Sequence, residues 1–337
     1  MGKKSKILFC LVLSVMMLIM VTACGANTGG GGGGGGDSAR GGLDVSNDLY
    51  IGVYAASALD YFYDHKIGLA KAGEDFGVQA EFLGPTDYDM SAVIATMDQS
   101  IGRNPDGIMI IGWEESIIPS IDKAVDAGIP VVTIDADLED SKRIAFVGTG
   151  NFAAGQMNAQ ALVDMLGGQG KVAVVGSVVL SNIQARAAGC MDIFDKYPGI
   201  EVVERVAAEA DDTTTAANTA ALLQKYPDLD GIATLDGTSG GVATAVREAG
   251  KAGEIAVIAF DRGDNILDAI EQGWISGTVV QQTALMPYYA LTILFNLKHF
   301  PVDITSDNAA AGISGVPSDI DTGVVLVTKE NLKYFQR

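Results

Sequence analysis

The chain has 337 residues, too many for one small core and suited to two domains of ordinary size. Apolar residues make up 48% and charged residues 19%, which excludes a disordered chain and supplies enough apolar surface for buried sheets. A formal net charge of −20 repels phosphates and argues against nucleic acid as a partner.

The chain opens on a targeting segment. Lys3, Lys4 and Lys6 come first, an apolar run follows from Ile7 to Val21, and the small residues Thr22 and Ala23 precede Cys24. Basic, apolar and small-residue stretches in that order read as a secretory signal, and the run is short for a stop-transfer helix. The string Val21-Thr22-Ala23-Cys24 resembles the bacterial lipobox, which is cut before a cysteine that carries lipid. Residues 1–23 are therefore read as a lipoprotein signal peptide and Cys24 as the lipidation site, on the outer face of the cell membrane or in the periplasm. An ordinary secretory cut with Cys24 incidental, and an uncleaved anchor helix, are the alternatives. Cleavage leaves 19 basic against 42 acidic residues, a net charge of −23.

Residues 24–47 read as a Gly-rich tether, because the run Gly29–Gly36 has nothing to bury. As a coil it spans roughly 25 Å, enough to hold a globular body off a membrane and let it reorient. Of the other cysteines, Cys10 leaves with the signal and Cys190 has no partner, so no disulfide within the chain is expected. Only His65 and His299 are present and no Cys/His set has zinc spacing, so neither metal nor cofactor is expected.

Folded sequence begins near Leu49. The pattern predicts strands over Leu49–Ala55, Val78–Leu83, Gly107–Ile111 and Val131–Ile134, with helices over Asp60–Phe76, Asp89–Arg103 and Glu115–Ala127 between them. Alternating strands and helices with near-continuous apolar strands mean a parallel α/β sheet covered on both faces. The pattern then repeats: strand starts near 49, 78, 107 and 130 are echoed near 171, 200, 231 and 255. Val131-Val132-Thr133-Ile134-Asp135 sits opposite Val257-Ile258-Ala259-Phe260-Asp261. Two βα units in series imply two similar doubly wound lobes.

Ligands of open parallel sheets bind beyond the carboxyl ends of the strands. In the first half those positions hold Ser57, Asp60, Tyr61, Phe62, Trp113, Glu114, Asp135 and Asp137. In the second half they hold Asn182, Arg186, Asp236, Asp261, Arg262, Gln281 and Gln282. Carboxylates accept from hydroxyls, Arg donates, amides do both and aromatic faces cover C–H surfaces, so the set suits a small polyhydroxylated ligand. Some of these positions have structural alternatives. Asp60 is placed to cap a helix, Tyr61 or Phe62 to enter a core, and Trp113 to pack between lobes. Asp135 and Asp261 hold the same place in both repeats, which a cap explains less well.

From Tyr50 to about Asn331 the chain resembles the ribose- and galactose-binding class of solute-binding proteins, which serve bacterial ABC sugar importers. The markers include Asp60-Tyr61-Phe62, Ala127-Gly128-Ile129-Pro130-Val131-Val132-Thr133-Ile134-Asp135 and Arg143-Ile144-Ala145-Phe146-Val147-Gly148-Thr149-Gly150-Asn151 with Gly155. Arg186 with Gly189, Tyr226-Pro227-Asp228-Leu229-Asp230-Gly231, Val257–Asp261, Gln281 and Thr322-Gly323-Val324-Val325 follow in order. The resemblance implies a periplasmic-binding-protein-like fold whose lobes are joined by three crossings, near 148–151, 281–283 and 317–323. The N-terminal lobe is then residues 48–149 plus 283–318, and the C-terminal lobe residues 150–282 plus 319–337. It implies ligand contacts at Tyr61, Phe62, Asp135, Arg186, Asp261 and Gln281, an ABC permease as membrane partner, and a monomer that closes on a sugar or polyol. Three departures stand out: Ala136 where Arg is common, Ala210 where an aromatic is common, and Leu235 or Asp236 where Asn is common. Trp113 is the candidate for the missing ring.

An enzyme is a poorer reading. Gly148-Thr149-Gly150 with Gly155 loosely resembles a dinucleotide loop, but lone glycines are weak evidence, and Asn151 there is placed to cap a helix. The same lobes also occur in sensors, so a protein presenting a small polar signal to a membrane partner is the alternative function.

Overall fold

The computed structural model describes residues 43–208 and 211–336. The signal segment, Cys24, most of the tether and Ala210 lie outside the described residues. Elements are numbered in chain order. One six-stranded sheet contains β1 (Leu49–Val53), β2 (Gln79–Leu83), β3 (Gly107–Ile111), β4 (Val131–Asp135), β5 (Ala145–Gly148) and β11 (Asp319–Asp321). The other contains β6 (Gln169–Gly176), β7 (Gly199–Ala207), β8 (Gly231–Thr234), β9 (Ala256–Phe260), β10 (Gly277–Gln281) and β12 (Val324–Thr328). The orders are β11-β5-β4-β3-β1-β2 and β12-β10-β9-β8-β6-β7, so the second repeats the first position by position. Every pairing is parallel except β10 with β12.

The helices are α1 (Tyr63–Phe76), α2 (Met90–Gly102), α3 (Ile118–Asp126), α4 (Asn151–Leu166), α5 (Ser181–Phe194), α6 (Asp212–Lys225), α7 (Ser239–Glu248), α8 (Asp264–Glu271) and α9 (Leu285–His299). Local chemistry sets several of their ends. The Asp89 carboxylate accepts from Ala92 N at 3.1 Å and opens α2, and Asp211 opens α6 by accepting from Thr214 N at 2.8 Å. Gly77 closes α1 in the left-handed region, with φ 71°. The expected helix over Glu115–Ala127 divides into a 3-10 turn, Glu115–Ile117, and α3, because Pro119 near the start of α3 has no N–H to continue a ladder backward.

Two expected caps are displaced. Leu59, not Asp60, holds the extended position before the turn Asp60–Phe62. Gly150, not Asn151, holds the position before α4, which frees the Asn151 side chain for another contact.

Residues of β3 and β4 are buried throughout, as expected of strands covered on both faces. The chain passes between the sheets three times. It leaves β5 for α4, which packs on the second sheet. It leaves β10 for α9, whose Met286, Ala290, Leu291, Leu294 and Phe295 complete the core of the first sheet. It passes from β11 to β12 through Thr322 and Gly323. The sequence boundary put residues 319–321 with the second lobe, but β11 pairs with β5 in the first sheet and the third passage comes after it.

Candidate functional site

The carboxyl ends of both sheets meet at one cleft, and the strand-end aspartates anchor it. Asp135 ends β4 with φ 68° and Asp261 follows β9 with φ 67°. Left-handed backbone at a residue other than Gly costs on the order of 1–2 kcal/mol, and it persists where function or surroundings require it.

In the first lobe, Asp135 accepts the Tyr61 hydroxyl at 2.5 Å and the Trp113 indole N–H at 2.5 Å. The Trp113 ring lies 5.4 Å from Phe62 and 6.0 Å from Tyr88, whose hydroxyl donates to Glu114. Tyr61 borders the cleft. Phe62 is fully buried, edge-on to Tyr54 and Tyr61 and 5.4 Å from the Trp113 ring.

In the second lobe Arg186 is buried and held on every side. Its Nε donates to Asn151 at 2.8 Å, Nη1 to the Leu235 carbonyl at 2.8 Å and Nη2 to Gln281 at 3.2 Å. Its guanidinium lies 3.8 Å from the centre of the Phe260 ring. Two glycines permit this placement. A Cβ on Gly155 would sit 1.9 Å from the Arg186 carbonyl, and one on Gly189 would sit 2.0 Å from the Phe152 carbonyl, so α4 and α5 pack backbone to backbone. Gln281 takes the Thr149 hydroxyl at 2.8 Å and donates to Asp261 at 2.7 Å.

Polar contacts join the lobes across the cleft. The Gln281 amide nitrogen lies 3.4 Å from the Tyr61 hydroxyl, and Arg262 pairs with Asp64 at 3.0 Å. A cavity of about 150 Å3 between the lobes is lined by Asp60, Tyr61, Asp64, Asp261, Arg262 and Gln281, among others. A second, of about 340 Å3, is bordered by Glu115, Ala136, Asp137, Asn151, Ser181 and Asn182.

Burial sets the electrostatics. It pushes the Tyr61 hydroxyl well above its usual pKa, aided by the charge of Asp135. It raises the Asp261 carboxyl against the pull of Arg186, and lowers Arg186 against the pull of Asp261. These groups have exchanged water for one another, so hydroxyls that match their donors and acceptors can displace those contacts without leaving charge exposed.

The remaining expected residues divide. Asp137 is occupied by Arg143, by Thr133 Oγ1 at 2.8 Å and by Leu138 N at 2.8 Å. Asp236 ties its own loop to the one after β6, accepting from Thr238 Oγ1 at 2.6 Å and from Ser177 N at 3.0 Å. Asn182 borders the larger cavity and accepts from Ile183 N at 2.9 Å. Glu114 is exposed beside Tyr88, and Ser57 offers its carbonyl to Lys66 at 2.7 Å. Sequence reasoning missed Tyr88, Asn151, Phe260 and Asp64 as participants. Only Asp64 carried a signal: three residues after Tyr61, it shares that face of the chain.

Two α/β lobes of like topology, with polar groups from each meeting at one cleft, define a ligand-trapping protein of the two-lobed binding class. The chain belongs to the periplasmic binding protein domain family, whose model matches residues 51–299. It is 29% identical over 202 residues to the D-apiose import binding protein of Paraburkholderia graminis, a match covering 59% of this chain and 65% of that one, just under two thirds. It is similar to the sugar-binding protein of a sugar ABC transporter from Bacillus halodurans, at 34% identity and TM-score 0.82, over 86% of this chain and 100% of that one. It is also similar to the arabinose-binding protein AraP of Geobacillus stearothermophilus, at 33% identity and TM-score 0.81, with 86% and 100% covered. Among the described residues no helix is long and apolar enough to cross a membrane, and no group of three His, Cys, Asp or Glu side chains is placed to hold a metal ion.

Proposed function

We propose that this protein is the extracytoplasmic binding component of an ABC importer for a small neutral sugar or sugar-like polyol, with pentoses first among the ligand classes to test. One observation carries the reading: Asp135 and Tyr61 from one lobe, and Arg186, Asp261 and Gln281 from the other, turn their donors and acceptors on a single point. The relatives named for D-apiose and arabinose import or binding support a pentose, and favour import over a sensor role.

A ligand that bonds to both lobes favours the closed arrangement over any open one, because only closure satisfies both sets of groups at once. The strand-end carboxylates accept from ring hydroxyls, Arg186 donates, and Gln281 does both. Trp113 supplies an apolar face for the ring. The closed lobes then present one surface to a membrane permease, with no covalent step. On this reading the protein acts as a monomer, residues 1–23 are removed, Cys24 carries lipid, and the Gly-rich tether lets the body reach the permease.

The test is a thermal-shift and calorimetric screen of pentoses, hexoses, polyols and nucleosides on the mature protein. A ligand at a hundred times its Kd stabilises by about 2.7 kcal/mol, a clear rise in melting temperature. A shift with nucleosides alone would reject the sugar reading.

A further inference from the structure

The sugar-binding reading makes no use of Arg262. It follows Asp261 directly, lies in the second lobe, and reaches across the cleft to Asp64 in the first turn of α1, an ion pair between residues 198 apart in sequence. The side chains are 23% and 18% exposed, so water screens this pair less than an exposed surface pair such as Lys123 with Asp98, at 59% and 43%. Asp60, Asp64 and Asp261 line the same cavity as Arg262, and Arg262 is the one cation among its lining residues. Two of those carboxylates belong to one lobe and the third to the other. Without the guanidinium, bringing the lobes together would bring like charges together, in a chain that already carries a formal net charge of −20.

We propose that the Arg262–Asp64 pair is an electrostatic latch that sets how readily the two lobes close, and so sets ligand affinity without itself binding ligand. The inference rests on the closure reading above and extends it to residues outside the ligand network. A sugar is neutral, so salt acts on its binding only through charges of the protein. Raising ionic strength shortens the screening length from about 8 Å at physiological salt to about 3 Å at 1 M and weakens the latch.

The asymmetry of the cavity gives a sharper expectation. Asp64→Asn removes one carboxylate and leaves Arg262 facing Asp60 and Asp261. Arg262→Gln removes the one cation that lines this cavity while keeping all three carboxylates. The second change should weaken binding more than the first.

The experiment measures D-arabinose and D-ribose binding by calorimetry, at low salt and in 1 M salt, for the wild type, Asp64→Asn, Arg262→Gln, and the exchange Asp64→Arg with Arg262→Asp. Small-angle scattering of the same proteins without sugar reads the spread of the lobes directly. Expected are a three- to tenfold loss of affinity for Asp64→Asn, a larger loss for Arg262→Gln, partial recovery in the exchange, and a weakening of wild-type binding by salt that shrinks in Asp64→Asn and reverses in Arg262→Gln, where salt screens a repulsion. In scattering, the single variants and the high-salt wild type should be more extended than the low-salt wild type. Circular dichroism checks that each variant is folded, and Lys123→Gln serves as a surface-charge control. Equal salt dependence in wild type and Asp64→Asn, or equal scattering profiles across the set, overturns the latch. If neither sugar binds, the pentose reading fails and scattering alone decides the latch.

Discussion

Asp135 and Asp261 stand at the same place in the two repeats, at the carboxyl ends of β4 and β9, and both adopt left-handed backbone, with φ 68° and 67°. Each then serves its own lobe. Asp135 gathers Tyr61 and Trp113, while Asp261 takes the Gln281 amide beside Arg186. The duplicated fold supplies the matched pair, and the neighbours differentiate it.

The backbone at these positions separates stability from binding. Asp261→Ala leaves Gln281 and Arg186 without their carboxylate and should cost about 2–4 kcal/mol of sugar affinity. Asp261→Gly makes the same loss, but Gly adopts a φ of 67° freely while Ala does not, a difference of about 1 kcal/mol. The Gly variant should therefore melt higher than the Ala variant while binding equally poorly. Equal melting temperatures would show that the strain is relieved elsewhere.

The cleft arginines predict what is refused. Arg143 is taken by Asp137, Arg186 by Asn151, Leu235 and Gln281, and Arg262 by Asp64. The carboxylates of Asp60, Asp64 and Asp261, which line the same cavity as Arg262, repel an anionic ligand. Uronic acids and sugar phosphates should give no thermal shift at concentrations where the matching neutral sugar gives a full one.

His65 predicts acid sensitivity. It is fully buried among Tyr54, Tyr61 and Phe62, and burial pushes its pKa down to about 4. The unfolded chain then binds more protons than the folded one between the two pKa values. Stability is complete above the ordinary His value of about 6.5 and falls as pH drops toward 4, by about 3 kcal/mol over that window. Denaturant melts from pH 7 to 4 measure this. His65→Gln should flatten the curve, and an unchanged slope would assign the sensitivity to other groups.

The start of the folded body predicts a stability effect far from the cleft. Asp48 accepts from Lys298 at 2.7 Å and contacts His299 Nε2 at 2.5 Å, tying the end of α9 to the residue before β1. Its side chain is 9% exposed, and its pKa is lowered by Lys298 and His299 against the opposing effect of burial. Asp48→Ala should cost on the order of 1–3 kcal/mol at neutral pH, read as a fall in melting temperature with sugar affinity unchanged. Because the Asp48 pKa is depressed, the penalty should shrink as pH falls through the carboxylate range.

Membrane attachment has its own test. Cys24→Ala should move the protein from the membrane fraction to the soluble one. Retention on membranes would point to an uncleaved anchor instead.

Much of the fold was legible because strand burial leaves a plain mark. The residues Gly107–Ile111 are apolar on both faces, so the expected β3 and the observed one coincide. The short strand β11 was not legible, since Asp319-Ile320-Asp321 has a single apolar residue and owes its place to pairing with β5. In the site, residue type and strand-end position picked out Tyr61, Asp135, Arg186, Asp261 and Gln281. The same rule also picked out Asp137, which pairs with Arg143 and borders the larger cavity, and Asp236, which bonds Ser177 N and Thr238 Oγ1. A strand-end carboxylate looks alike in sequence whatever partner it meets. Asn151 shows the reverse: its place at a helix start suggested a cap, and only the packing of α4 on α5 reveals that it holds Arg186.

One carboxylate oxygen links two of the three passages between the sheets. Asp321 Oδ1 accepts from Gly150 N at 2.7 Å and from Gly323 N at 2.8 Å. The first and third connecting segments are thus pinned to a common point and cannot twist independently. Lobe motion is thereby reduced toward a single swing about one axis, and the protein meets its ligand as a door on a fixed pin, not as two bodies on loose strings.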